Sequence, residues 1–439
     1  MLQVLFNLAA FVAVLVVLVV VHELGHFLAA KRAGVKVLEF AIGFPPRLFA
    51  IRRGETEYSL NLLPLGGFVR MVGEEDPSDP RSLAAQSIPW RLVVLSAGIV
   101  MNVVLAFVLL ALSAMLPRSE FVGEVVVLGV SPGSPAEIGG LRPDDVIVSV
   151  GGRPITNLQN LRYVVNLHLG QPVDVVVRRD GREVLTRVTP RFNPPPGEGA
   201  TGIQIGIANP IWRYRKERGL TPAELAAQLG VPPEVELAWE NSGAVAIGRT
   251  PWEAEQITAR GTTLQQWRDE QLAALSRVLG VRSDQLTESY LREQTRVLSP
   301  LEAVPAGVQR AGEMLLLFRN DILTTVARRS APQVAGPVGI YEITGAAAQQ
   351  AIRTGPSVLL DLMALLSLNL AIVNALPIPM LDGGRILFVL IEAVRGGRRI
   401  SPDKERFAHL VGAVLLFTLI IVITFNDVIR LASGESIFR

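Results

Sequence analysis

The stretch VVVHELGHFL, residues 19–28, joins a long apolar run to two histidines and a glutamate. Ionisable side chains are costly to bury in a segment long enough to cross a membrane, so this position is a candidate functional site. His22 and His26 are four residues apart and therefore lie on one face of a helix, as in the pattern H-E-x-x-H. We expect them to bind one zinc ion, with Glu23 as the general base that acts on a water molecule.

Apolar segments of membrane length recur along the chain. Apolar residues make up 49% of the 439 positions, and the mean hydropathy is +0.38. The segments that are long and apolar enough to cross a bilayer are residues 5–30, 92–116, 358–376 and 407–429. The sequence therefore predicts a polytopic α-helical membrane protein with four transmembrane helices, in blocks at residues 1–32, 91–117, 356–395 and 405–430.

Basic residues in the short connecting segments indicate the orientation. One group lies between the first two spans and comprises Lys31, Arg32, Lys36, Arg47, Arg52, Arg53, Arg70 and Arg81. A second group lies between the last two spans and comprises Arg395, Arg398, Arg399 and Lys404. Short loops rich in lysine and arginine stay in the cytoplasm. We therefore expect a multi-pass protein of the cell inner membrane, with both termini and the long middle region outside the cytoplasm.

The composition excludes several kinds of site. The chain has no cysteine, which removes disulfides, thiolate nucleophiles and cysteine-based zinc sites. Its formal net charge of +2 gives no indication of a nucleic-acid partner. A metal site must draw on carboxylates and on the four histidines, which are His22, His26, His168 and His409.

Asp382 is the best candidate for a third zinc ligand. His168 lies in the middle region, and His409 starts the fourth span. Asp382 lies in NALPIPMLDGGR, residues 374–385, where prolines break the helix and glycines allow a sharp turn. Irregular backbone at membrane depth is tolerated only where it is buried in protein or lines a cavity. The alternative is an aspartate that only caps a helix start.

Together, HELGH in the first span and LDGG after the third resemble the site-2 protease family of intramembrane zinc metalloproteases, of the bacterial regulator-of-sigma-E protease type. AGIVMN, residues 97–102, is similar to the family's second-span motif, which packs against the active site. SLNLAIVNALPIPMLDGG, residues 367–384, is similar to the third-span motif. The resemblance implies that Asn369 and Asn374 bind substrate, with Asn374 on the substrate backbone. A buried asparagine can also bond to a neighbouring helix.

The cytoplasmic-side loop, residues 33–90, contains IRRGETEYSLNLLPLGGFVRMVG at residues 51–73. Polar and apolar residues alternate in this stretch and turn glycines interrupt it, a pattern that predicts a β-hairpin. The resemblance implies that the hairpin re-enters the membrane and offers a strand edge to an extended substrate. Gly66 and Gly67 are then candidate substrate-binding residues. The alternative is an ordinary cytoplasmic hairpin.

The middle region begins with a β-rich segment, residues 120–209. Its portion GVSPGSPAEIGGLRPDDVIVSVGGRPI, residues 129–155, resembles a PDZ domain of the bacterial protease kind. The family often has two such domains in tandem, and the sequence indicates one. We expect an extracytoplasmic PDZ-like α+β domain.

Residues 212–297 form a different segment, predicted to be a small all-α insert. RYRKERGLTPAELAAQLGVPPEVELAWEN, residues 213–241, resembles the helix-turn-helix of Cro-type phage repressors. The helix in the recognition position carries Glu234, Glu236 and Glu240 and no lysine or arginine, whereas contacts with DNA need cations and donors there. We therefore expect no nucleic-acid partner, and a helical spacer or protein-docking module.

Residues 299–345 follow the insert and oppose apolar to basic side chains, a pattern typical of a helix on a membrane surface. VAGPVGI, residues 334–340, is similar to a family segment on the path to the active site.

Three classes of function fit these features. The first is an intramembrane zinc endopeptidase that cuts the transmembrane segment of a single-span membrane protein, for example an anti-sigma factor. The second is a metal-binding membrane transporter or sensor, and the third is a catalytically silent scaffold. Glu23 favours the endopeptidase, because neither alternative needs a general base between two zinc ligands.

Overall fold

The computed structural model describes residues 2–74, 76–287, 292–329 and 335–433. Its helices and strands follow the chain as α1 (Leu2–Arg32), β1 (Val37–Arg53), β2 (Thr56–Met71), α2 (Ile88–Ala114), β3 (Arg118–Val122), β4 (Val125–Val130), α3 (Pro135–Ile138), β5 (Val146–Val150), β6 (Arg153–Pro154), α4 (Leu158–Leu167), β7 (Val173–Arg179), β8 (Arg182–Val188), β9 (Ile203–Ile207), α5 (Pro210–Glu217), α6 (Pro222–Leu229), α7 (Pro233–Ser242), α8 (Pro251–Arg260), α9 (Leu264–Leu279), α10 (Ser283–Thr287), β10 (Arg292–Arg296), α11 (Pro300–Arg328), α12 (Pro337–Thr354), α13 (Ser357–Ala375), α14 (Asp382–Val394) and α15 (Pro402–Ala432). The first unit comprises Met1–Arg118, Arg296–Met314 and Gln333–Arg439, and the second comprises Ser119–Thr295 and Leu315–Pro332.

The first unit contains the membrane-length helices. In the described part of the chain, four helices are long and apolar enough to cross a membrane: α1, α2, α13 and α15. Each coincides with a predicted span, so this part of the prediction is confirmed. Helix α2 packs against α1, α13 and α14. At its first turn Arg91 forms a buried ion pair with Glu392 of α14 at 2.7 Å, which holds these two helices together.

Strands β1 and β2 build a larger sheet than the predicted hairpin. The prediction began at residue 51, and the structure begins the sheet at Val37. Residues 39–42 pair on one side with 57–60 and on the other with 67–70, while residues 47–53 pair with 56–61. The prolines at positions 45 and 46 interrupt the alternation in the sequence, which is why the first strand escaped prediction. The chain thus crosses this sheet four times.

The second unit begins with a five-strand path in the order β8-β7-β5-β4-β9, with β6 beside β5. Its core is formed by alternate side chains of these strands and by one face of α4, including Val125, Val177, Leu161 and Val164. Strand β9 pairs only with β4 among the described strands, so it is an edge strand. The α+β composition expected for residues 120–209 is present, and the specific PDZ assignment stays a prediction.

Helices α5 to α10 follow β9 and have a core of their own around Trp239, Trp267 and Leu225. The predicted insert, residues 212–297, was described as all-α, and this is wrong at its end, because Arg292–Arg296 forms β10, which pairs with β3. Every side chain of β10 is exposed, so no apolar pattern marked it as a strand.

The helix in the recognition position, α7, presents its acidic face to the rest of the second unit. Glu236 and Glu240 are fully buried, whereas Glu234 is exposed. Arg215 of α5 donates to Glu240 at 2.5 Å and to Asp144 at 2.5 Å, and thereby joins the helices to the loop before β5. The face of α7 that carries Glu236 and Glu240 is consequently enclosed by protein.

In the segment predicted to lie on the membrane surface, residues 299–345, the structure has α11 and the start of α12. Exposed apolar side chains run along α11, including Leu301, Val304, Val308 and Val326. Residues 330–334, which include the start of the VAGPVGI segment, lie outside the described residues. The membrane-surface location stays a prediction.

The buried carboxyl group of Glu236 generates a prediction about pH. Its two oxygens are buried, and the carboxylate of Glu240 is close enough to hydrogen-bond with them only through a shared proton. Burial, and secondly the neighbouring Glu240, raise the pKa of Glu236 from 4.5 to about 9, and Arg215 opposes this only in part. The folded state therefore holds one more proton than the unfolded state between these two values, and the free energy of unfolding falls as pH rises through that window.

We expect Glu236→Gln to stabilise the second unit at pH 8 and to flatten its pH dependence between pH 5 and 9. Four of the five tryptophans lie at positions 212, 239, 252 and 267, so denaturant unfolding followed by tryptophan fluorescence measures this region. The matched control is Glu253→Gln, which should destabilise it, because the Glu253 carboxylate accepts bonds from Trp239, Trp267 and Gly248. A lower stability of Glu236→Gln than of the unmodified protein at pH 8 would contradict the prediction.

Candidate active site

Helix α1 brings the two histidines of HELGH to the same place. His22 and His26 lie one turn apart and are 8% and 7% exposed, and their Nε2 atoms are 3.2 Å apart. Two imidazole nitrogens at this separation repel each other unless a proton or a metal ion lies between them. The geometry therefore already points to a shared cation.

Asp382, the first residue of α14, completes a triangle of ligand atoms. Its Oδ2 lies 3.2 Å from Nε2 of His22 and 3.3 Å from Nε2 of His26. Oδ2 is buried and makes no hydrogen bond among the described residues. In a tetrahedral zinc site with bonds of about 2.0 Å, ligand atoms are about 3.3 Å apart. The three residues thus fit a zinc ion, and they are the one group of possible metal ligands found in the described part of the chain.

Helix α2 orients the imidazole of His26. Nδ1 of His26 donates to the carbonyl oxygen of Val94 at 2.8 Å, so the proton is held on Nδ1. The Nε2 lone pair is then free to face the metal.

Asn102, also on α2, orients the imidazole of His22. Its amide nitrogen lies 3.1 Å from Nδ1 of His22, while its amide oxygen is buried without a partner among the described residues. Rotating the amide by 180° exchanges the two atoms, and the oxygen then accepts a hydrogen bond from the N–H at Nδ1 of His22. The backbone of Asn102 is itself held by the hydroxyl of Ser367, which donates to its carbonyl at 2.8 Å. Sequence reasoning named the AGIVMN motif and gave Asn102 no role.

Gly98 of α2 faces the ligand triangle, which sequence reasoning also missed. A Cβ at this position would overlap Nε2 of His26 and would lie 2.8 Å from Nε2 of His22. Only a residue without a side chain leaves room for both imidazoles. The signal in the sequence was a glycine inside an apolar helix, where glycine costs helix stability and needs a packing reason.

Glu23 lies next to the triangle and against the sheet. The backbone N–H of Val69 in β2 donates to its carboxylate, which lies within electrostatic range of His22, His26 and Asp382. A Cβ at Gly67 would lie 3.3 Å from Cγ of Glu23, so the strand approaches closely because this residue is a glycine. The structure therefore brings together the proposed ligands, the proposed base and one edge of the sheet.

The other predicted site residues are placed as follows. Gly66 faces the ring of Phe44 rather than Glu23. Asn369 and Asn374 are half-buried on α13 and, being five residues apart, point about 140° away from each other around the helix. No described contact joins either asparagine to the ligand triangle. Their role, like that of Gly66, stays a prediction.

Gly98→Ala should reduce the bound zinc about tenfold or more, because the new methyl group displaces the two imidazoles. The measurement is the zinc content of the purified full chain by atomic emission, together with its thermal unfolding. Gly312→Ala is the matched control, since a Cβ there meets nothing within 4 Å. Wild-type zinc content in Gly98→Ala would exclude the proposed ligand triangle.

Comparison with known proteins assigns the chain to a family. The family model described as Peptidase family M50 matches residues 10–419. Zinc metalloprotease RasP of Shouchella clausii is 30% identical, over 97% of this chain and 100% of the relative. The proteins of the same name from Bacillus licheniformis and Oceanobacillus iheyensis are 30% and 28% identical, over 96% and 97% of this chain and 98% and 99% of the relatives. The chain belongs to peptidase family M50, the site-2 proteases, and is an intramembrane zinc metalloprotease.

Proposed function

We propose that this protease hydrolyses a peptide bond within the transmembrane segment of a single-span membrane protein, such as an anti-sigma factor. The observation that carries the proposal is the position of Glu23, between the His22–His26–Asp382 triangle and the edge of a β-sheet. Such an arrangement would place a metal site, a base and an extended peptide within a few ångströms of one another.

His22, His26 and Asp382 would hold the zinc ion. When bound, zinc polarises a peptide carbonyl and lowers the pKa of a water molecule. The carboxylate of Glu23 accepts the proton of the attacking water and returns it to the nitrogen of the departing peptide. The N–H of Val69 holds this carboxylate in place for both steps.

In this proposal the substrate binds along residues 67–70. A peptide bond in a helix is shielded by its own hydrogen bonds, so the helix must first unwind locally. An edge strand can hold the unwound segment by adding it to the sheet. Residues 67–70 pair with 39–42 on one side, and Val69 on the other side contacts Glu23. We assign substrate binding to Gly66 and Gly67, and to Asn369 and Asn374 as polar partners of the unwound backbone.

The sheet has a surface suited to lipid. Several large apolar side chains are more than a third exposed on its far part, including Phe44, Leu48, Phe49, Ile51 and Leu62. In water such a surface would promote aggregation of the sheet edge. We propose that this part of the sheet is immersed in the membrane.

Contacts between the basic loops support their placement on one side of the membrane. Arg399, after α14, donates to the carbonyl of Ala84, before α2, at 2.5 Å. The first loop also contacts the start of α14, where Arg385 forms an ion pair with Glu74 at 2.6 Å. We propose that these loops are cytoplasmic and that the chain lies in the inner membrane. Helix α1 ends six residues after His26, or about 9 Å along its axis, so water reaches the zinc from the cytoplasmic side.

The second unit would then lie outside the cytoplasm, with its PDZ-like domain and helical insert. A nucleic-acid partner is not proposed, because α7 buries Glu236 and Glu240 and carries no cation. We infer a role for this unit in contacts with the substrate protein or another protein.

Glu23→Gln should retain zinc and lower cleavage by about 10²- to 10⁴-fold, because the glutamine amide cannot take the proton from water. Asp382→Ala should lose both zinc and cleavage. The measurement is cleavage of a purified single-span substrate in detergent, with zinc content determined on the same samples. Near-normal cleavage by Glu23→Gln would refute the mechanism, and full zinc occupancy in Asp382→Ala would remove it from the ligands.

Orientation is tested with a reporter that is active only in the cytoplasm. Fusions at Gly397, within the second basic loop, should be active, and fusions at Gly181, in the turn between β7 and β8, should be inactive. Expression of both fusion proteins is compared by immunoblotting. The reverse pattern would invert the proposed topology.

A further inference from the structure

A tight turn delivers Asp382 to the zinc ligands. The N–H of Leu381 donates to the carbonyl of Ile378 at 3.1 Å, which closes a four-residue turn with Pro379 and Met380 at its centre. Met380 has a φ of +86°. A proline followed by a residue of positive φ is the arrangement of a type II turn.

Methionine is an unfavourable residue at this place. The third position of a type II turn favours glycine, because a side chain at positive φ is strained. A type I turn spans the same residues without that strain and differs mainly in the orientation of the central peptide group. In this turn the central peptide carries the N–H of Met380. A contact outside the turn must therefore stabilise the type II form.

His409 of α15 makes that contact. Its Nδ1 accepts the N–H of Met380 at 2.8 Å. Nε2 of His409 lies 4.0 Å from Oε1 of Glu405, one turn earlier, which favours the tautomer with the proton on Nε2. The ring also packs against Phe388 of α14, with centroids 5.5 Å apart. Helix α15 approaches the turn closely at Gly412, where a Cβ would overlap the carbonyl oxygen of Pro379.

The first residues of α14 pack tightly against the turn and the chain before it. A Cβ at Gly383 would overlap the carbonyl oxygen of Leu376, and a Cβ at Gly384 would overlap that of Ile378. Asp382 therefore begins α14 directly against the turn. A rotation of the central peptide of the turn would reorient the carbonyl of Pro379, which packs at Gly412, and would change the backbone angles of Met380, two residues before Asp382. The carboxylate of Asp382 would move with them.

We propose that His409 is a positioning residue for the zinc site: by accepting the N–H of Met380, it holds the turn in its type II form and so places Asp382. The fourth membrane helix thus acts on the metal centre without providing a ligand. This inference rests on the proposed function in one respect, the ligation of zinc by Asp382.

The experiment compares His409→Asn with His409→Leu and His409→Gln in the detergent-solubilised full chain. The amide oxygen of asparagine can occupy the position of Nδ1, whereas leucine has no acceptor and the amide of glutamine reaches the position of Nε2 instead. Zinc affinity is measured by competition with a chromophoric chelator. We expect His409→Leu and His409→Gln to bind zinc about 10- to 100-fold more weakly and His409→Asn to remain within about threefold of the unmodified chain.

A second substitution tests the link to the turn. Met380→Gly removes the strain of positive φ, so alone it should leave zinc affinity unchanged, and in combination with His409→Leu it should restore most of the lost affinity. A purely structural role of His409 would lower thermal stability without this specific rescue. If His409→Leu does not fold, His409→Gln and its combination with Met380→Gly provide the same comparison.

Two outcomes would overturn the inference: zinc affinity unaffected in both His409→Leu and His409→Gln, or asparagine as damaging as leucine. Failure of the proposed function looks different. In that case the unmodified chain and Asp382→Ala would bind zinc equally, whatever residue stands at position 409.

Discussion

The first unit depends on one constraint: two imidazole nitrogens and one carboxylate oxygen point their lone pairs at the same place. Nε2 of His22, Nε2 of His26 and Oδ2 of Asp382 lie 3.2 to 3.3 Å apart, a separation that is unfavourable without a cation among them. The two histidines come from one helix, and the aspartate comes from a segment more than 350 positions later. Helix α2 lies between these elements and makes the arrangement possible. It supplies the carbonyl of Val94, the side-chain amide of Asn102 and, at Gly98, the space that a side chain would have filled.

Each of the three helices provides a different part of the metal site. Helix α1 provides ligands and base, α14 provides the third ligand, and α2 provides no ligand but fixes the protons of both imidazoles through Val94 and Asn102. The ion pair between Arg91 and Glu392 then ties α2 to α14 at the opposite end of the latter from Asp382. A buried pair of this kind is weak evidence for stability, because the cost of desolvating two charges offsets their attraction. Here the geometry that the pair holds includes the metal ligands.

The sequence was informative where chemistry is encoded in local spacing. HELGH predicted two ligands on one helix face with a base beside that face, LDGG with its prolines predicted the third ligand, and apolar length predicted the four membrane helices. It was uninformative where a role depends on a partner far along the chain. Asn102 acts on a residue 80 positions away, and nothing near it in sequence indicates that. The ion pair of Glu240 in α7 likewise depends on Arg215, 25 positions earlier, which also donates to Asp144.

Asn209 determines where the helical segment could be separated from the sheet. Its side chain caps α5 by accepting from Ile211 and Trp212, and it also donates to the carbonyls of Trp239 and Glu240 at the far end of α7. Trp212 in turn packs with Val126 and Val146 of the sheet. The boundary between sheet and helices is thus a shared core, and a transplant or excision that cuts at residue 212 would divide it. A transfer of the helical segment to another protein would therefore have to include Asn209 and the sheet residues that contact Trp212.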